Sequence, residues 1–151
     1  MGHRRNAREL AMQALFSVDL RENNLLKKSL LKDRLPEKSV EDESIQCFCE
    51  NFKNKLSKNT YPYFHTLLDG VKKHKNEIDK LIEKHSNNWK IARMSYVDRN
   101  IMRIAGYELL FCPDIPSKVS INEAVDIGKK FGTFESGSFV NGILDSIKQS
   151  L

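Results

Sequence analysis

Tyr96-Val97-Asp98-Arg99-Asn100-Ile101-Met102-Arg103-Ile104-Ala105-Gly106-Tyr107-Glu108-Leu109-Leu110-Phe111 is the stretch that decides the fold. Its apolar residues return at the spacing of an amphipathic helix. Pro113 and Pro116 end that helix. A second helix is predicted to open at Ser120-Ile121-Asn122-Glu123, where Ser120 and Glu123 stand at capping-box spacing. It presents Ile121, Ala124, Val125, Gly128 and Phe131 to a core and closes at Gly132. Lys129 and Lys130 fall in its last turn, where cations suit the helix dipole. A third helix, capped by Ser136 or Ser138, carries Phe139, Val140, Ile143, Leu144 and Ile147 on one face.

Upstream, residues 7–18 place Ala7, Leu10, Ala11, Ala14, Leu15 and Val18 on one helical stripe. Arg5, Arg8, Met12 and Phe16 make a neighbouring stripe. It is either core on a helix packed from two sides or a face turned to a ligand, with the arginines at its polar end. Residues 21–44 alternate in charge around Pro36 and read as a solvated connection. One short helix is expected there, from Leu25-Leu26 and Leu30-Leu31. Ile45, Phe48, Phe52 and Leu56 share a face of a helix from about Glu43 to Ser57. Pro62 suits the first turn of the next helix, whose period runs through Phe64, Leu67, Leu68, Val71, Ile78, Leu81 and Ile82. Gly70 weakens that helix without ending it. No strand alternation is present, so the fold class is all-α.

The 151 residues suit one domain with a real core. The net charge of +5 is a modest surplus, but three arginines lie within the first eight residues, ahead of any acid. Cys47 and Cys49 point away from each other on a helix, and Cys112 is distant. That pattern argues against a zinc site or a disulfide framework and for reduced thiols in a cytoplasmic protein. No segment stays apolar for the ~18 residues a membrane helix requires. Glu9, Gln13 and Asp19 interrupt the one run that could imitate a signal peptide.

Catalytic motifs are missing. There is no P-loop, no G-x-G-x-x-G and no H-E-x-x-H, and the four histidines show no ligand spacing. Ser136-Gly137-Ser138 lacks the strand-to-helix elbow of a hydrolase. Glu108 projects from the apolar face of its helix. It is read as a buried acid accepting bonds from a neighbouring helix start, in preference to a catalytic carboxylate.

Several strings, in order and spacing, resemble the NusB family of bacterial transcription antitermination factors. They are Arg5-Asn6-Ala7-Arg8-Glu9, Ala14-Leu15-Phe16, Arg103-Ile104-Ala105-Gly106-Tyr107-Glu108-Leu109, Ile121-Asn122-Glu123-Ala124-Val125, and Phe131-Gly132 with Phe139-Val140-Asn141-Gly142. The likeness is strongest at residues 4–18 and 94–144 and weakest at 21–60. It implies an all-α fold of about seven helices in two small helical subdomains, forming a single RNA-binding domain over residues 1–151. It also implies a non-enzymatic factor without cofactor or metal. The expected ligand is single-stranded boxA RNA of ribosomal RNA transcripts. The expected protein partner is NusE, the tenth protein of the small ribosomal subunit, and the pair helps RNA polymerase read through termination signals.

By that resemblance Arg4, Arg5, Arg8, Lys129, Lys130, Phe131, Ser136, Ser138 and Phe139 are the expected RNA-binding residues, and Asp98 the expected partner contact. Asn6 stands where some members have arginine, and Glu135 is acidic in a basic neighbourhood. Phe139 either stacks a base or belongs to the core. The first helix and the Lys129–Phe139 segment are expected side by side. Two other readings remain: the NusB-like domain of a ribosomal RNA cytosine methyltransferase, of which this chain would be a fragment, and a helical adaptor without RNA binding.

Overall fold

The computed structural model describes residues 2–32 and 40–151. The described residues form six α-helices and one 3-10 turn: α1 (Gly2–Lys32), α2 (Val40–Asn51), α3 (Tyr61–His85), the turn Ile91–Arg93, α4 (Tyr96–Phe111), α5 (Ser117–Phe131) and α6 (Ser136–Ser150). The all-α class holds, and a count of six α-helices differs little from about seven. α1 runs past residue 18, so the expected short helix around Leu25–Leu31 is its continuation. The alternating charges around Pro36 lie outside the described residues. α2 stops at Asn51, and Phe52 and Leu56 pack against the core from the turns that follow.

α4 organises the rest. It touches α1, α3, α5 and α6, and Asn100 through Gly106 are buried without interruption, with Glu108 beyond. A helix enclosed on so many sides must find partners for its polar residues inside the protein. Asn100 donates to Asp19 at 2.7 Å, and Arg99 does so at 2.8 Å. Arg103 bonds Asp79 through two nitrogens at 2.8 and 2.9 Å and reaches Asp19 at 3.3 Å. This cluster ties α1, α3 and α4 together. Burial alone would lower the Arg103 pKa, but its bonds to Asp79 and Asp19 outweigh that and raise it.

The apolar stripes of all six helices join one hydrophobic cluster. The α1 stripe is core as expected, and so is Met12 of the second stripe. Pro62 sits in the first turn of α3. Gly70 has a role that its helix propensity hides: a Cβ there would collide with the Tyr107 ring. Its absence lets α3 and α4 approach closely.

The start of α5 corrects the sequence reading. Pro116, not Ser120, is the N-cap, and no side chain caps this helix. Ser120 is already inside the first turn, its N–H bonded to the Pro116 carbonyl at 3.2 Å. Its buried hydroxyl has no partner among the described residues. Ser120→Ala is therefore expected to leave stability unchanged or slightly raised, because an unpaired buried hydroxyl contributes nothing and alanine is the better helix former. A loss near ~1 kcal/mol in urea denaturation, the cost of a lost cap, would restore the capping box. Neither Ser136 nor Ser138 caps α6 through its side chain. Buried Ser136 instead accepts from the Thr133 N–H at 2.9 Å and holds the preceding turn. Gly132 does follow the last residue of α5, but with extended backbone. A Cβ there would press on the Gly128 carbonyl at 2.7 Å.

Candidate nucleic-acid interface

The N-terminus of α1 lies against α5 and the start of α3, which sets the environment of each arginine. Arg4 is exposed, with its guanidinium 5.0 Å from the Tyr63 ring centroid and 3.8 Å from Asp114. Arg5 bonds Glu123 closely and Asp126 at 2.9 Å, which raises its pKa, the Glu123 bond contributing most. Arg8 does not lie on the surface. It is 3% exposed and holds Glu108, itself 1% exposed, through Nε at 2.9 and 3.2 Å. Glu123 lies 3.6 Å away on its other side, and the Tyr63 hydroxyl closes the cluster by donating to Glu108. Glu108 is thus a buried structural acid, as expected. Its partners are a guanidinium and a phenol, not the backbone of a helix start.

Burial, with the Glu108 bond second, pushes the Tyr63 pKa far above its ordinary value. A raised pKa of this kind gives stability that is complete below the unfolded value of ~10 and is lost as pH rises beyond it. Thermal melts should fall more steeply between pH 9 and 11 for the wild type than for Tyr63→Phe. Parallel curves would remove the phenol from the account.

The C-terminal end of α5 meets α1 on the same side. Lys130 reaches Glu9 at 3.1 Å and lies 5.2 Å from the Phe131 ring centroid. Lys129 is exposed and has no ion pair among the described residues. It lies along the start of α6, where a Cβ on Gly137 would meet it at 3.0 Å. Ser138 is exposed. Phe131 and Phe139 are partly buried against the core, so each ring has only a portion left for a ligand. Phe134, in the α5–α6 turn, is fully exposed. Sequence reading passed it over because a single phenylalanine in a turn has no period to mark it.

Two depressions adjoin this face. A cleft of about 520 Å³ is lined by Asn6, Glu9, Gln13, Lys55 and Lys130 over Leu10 and Phe131. An apolar groove of about 360 Å³ lies beside it, formed by Met12, Phe16, Phe48, Phe52, Val97 and Phe131. Gln13 and Phe131 belong to both. Asp98, next to Val97, lies in the first turn of α4, and its N–H donates to Oγ of the N-cap Ser95 at 3.1 Å. One of its carboxylate oxygens is buried without a partner among the described residues. No group of three or more His, Cys, Asp or Glu able to hold a metal occurs among the described residues. No described helix is long and apolar enough to cross a membrane.

A model of the NusB family matches residues 5–149. The chain belongs to the NusB family. A relative named transcription antitermination protein NusB, from Desulfatibacillum aliphaticivorans, is 54% identical over 97% of this chain and 90% of its own length. NusB of T. maritima superimposes with a TM-score of 0.77 at 34% identity, covering 97% of this chain and 90% of that one. A crystal structure of the antitermination factors NusB and NusE in complex with double-stranded RNA gives 0.74 at 30% identity, covering 100% and 99%. As a NusB-family member the protein is a transcription antitermination factor and not an enzyme.

Proposed function

We propose that this protein binds single-stranded boxA RNA on the face where α1, the end of α5 and the α5–α6 turn meet, and docks NusE along the adjoining groove. In the cytoplasm the assembly would join the RNA polymerase antitermination complex and support read-through of ribosomal RNA transcripts. The observation that carries the reading is contiguity: a basic, aromatic-edged cleft and an apolar groove share Gln13 and Phe131. The solved relative with NusE and RNA supports the same pair of partners. Single strands are favoured over duplex because Phe134, Phe131 and Phe139 offer flat apolar surface, which only unstacked bases can use.

In this reading Arg4, Arg5, Lys129 and Lys130 meet phosphates, and Phe131, Ser138 and Phe139 meet sugar or base. Arg8 and Ser136, being buried, hold the surface from beneath. Asp98 and Val97 mark the NusE side. Titration of boxA RNA, a scrambled strand and a duplex, with and without NusE, tests it. BoxA should bind best, and more tightly with NusE, since two tethered contacts raise the effective concentration. Val97→Glu should remove the NusE effect while leaving binding by the protein alone. Equal affinity with and without NusE would sink the joint model, and absence of any salt-dependent RNA binding would favour the adaptor reading.

A further inference from the structure

We infer that the cleft between α1 and the α2–α3 turn takes one unstacked nucleotide whose base carries an exocyclic amine, with Lys55 on its phosphate. The inference rests on the RNA reading above and adds a subsite to it. Asn6, Leu10 and Gln13 are spaced four and three residues apart, and Glu9 beside Leu10 joins the same face. That face forms the floor of the cleft, and Lys55 and Lys130 stand in its lining.

Volume and chemistry both fit. About 520 Å³ lies in the range of clefts that hold small molecules, ~300–1,000 Å³. The half-buried Phe131 ring offers apolar surface to a base, with the edge of buried Leu10 beneath it, and the amides of Asn6 and Gln13 offer both donors and acceptors to its edge. Glu9 only accepts. Its pairing with Lys130 at 3.1 and 3.2 Å leaves lone pairs free. A carboxylate in that place welcomes the amine of cytosine, adenine or guanine and repels the carbonyl edge of uracil.

The state of the cations identifies Lys55 as the phosphate contact. Arg5 and Lys130 already hold carboxylates, so a phosphate must displace or share an existing partner. Lys55 is exposed and has no ion pair among the described residues. Its ammonium sits 5.7 Å from the Phe52 ring centroid. The turn that carries it is fixed by the Lys55 and Leu56 N–H groups, which bond the Phe52 carbonyl at 2.9 and 3.1 Å. A phosphate there gains a cation without displacing an ion pair.

The test is fluorescence anisotropy of the full chain with boxA RNA, in which each nucleotide is replaced in turn by an abasic or a uridine nucleotide. One position should lose about five- to hundredfold when abasic, the scale of a stacked base, and several-fold when changed from an amino-bearing base to uridine. Glu9→Ala should erase the uridine penalty at that position alone. Lys55→Ala should weaken every strand several-fold and reduce the salt slope by about 0.7, one phosphate on a single strand. Normal affinity and slope in Lys55→Ala, or a uridine penalty that survives Glu9→Ala, overturns the subsite and leaves the RNA reading standing. If wild-type protein binds no boxA RNA even with NusE, both fall.

Discussion

Glu108→Ala should lower the unfolding free energy by about 3–5 kcal/mol, because it leaves the buried Arg8 guanidinium without its hydrogen-bonded partner and with only the longer 3.6 Å contact to Glu123. The partner sets this magnitude. Had Glu108 accepted from backbone N–H groups, losing the acceptor would cost ~1–3 kcal/mol. Arg8 is 3% exposed and Glu108 1%, so neither charge can be rehydrated without opening the α1–α4 packing. Arg8→Ala should be as damaging for the converse reason. Removing the whole polar cluster together, as Arg8→Met, Glu108→Leu and Tyr63→Phe, should recover most of the loss, since apolar residues of similar volume replace buried ion pairs well. Urea denaturation of the set measures the coupling. A Glu108→Ala protein within ~1 kcal/mol of wild type would show that Glu123 or water compensates the Arg8 charge and that the Glu108 pair does not set stability.

The second large effect belongs to RNA. Reversing Arg4, Lys129 and Lys130 together to glutamate should weaken boxA binding at least a hundredfold near 0.1 M salt. The slope of log affinity against log salt should flatten by roughly 0.7 for each phosphate that is no longer neutralised. These side chains are exposed, so stability should change by ~1 kcal/mol or less per pair. Arg8 is left out of the reversal for that reason: a glutamate there would unfold the protein and mimic a binding defect. Unchanged binding by a folded triple variant would remove the α1–α5 face from the RNA reading.

Much of the fold was legible in the residues alone. Tyr96–Phe111 emerged with its ends because periodicity, two following prolines and length all agree. α1 was legible only where its stripe is continuous, since the charged residues beyond position 20 look the same in a solvated helix and in a loop. The Ser120–Glu123 spacing misled because it is a local pattern. Pro116 had already started the helix a turn earlier, and the Glu123 carboxylate is spent on Arg5, 118 residues away in sequence. Asn100, Arg103 and Asp19 were invisible for the same reason. Their pairing depends on which helices touch α4, and no window of sequence contains that. Arg8 is the sharpest case: sequence can count a cation, but only packing says whether it is available.

The Arg8–Glu108 pair also imposes an order on biosynthesis. The two residues are 100 positions apart, so at ~5–20 residues per second Arg8 is made about 5–20 s before its acid. The acids on α5 that hold Arg5 come later still. Through that interval the nascent chain carries a basic amphipathic segment with no α5 acid to neutralise it, next to the ribosome's own RNA.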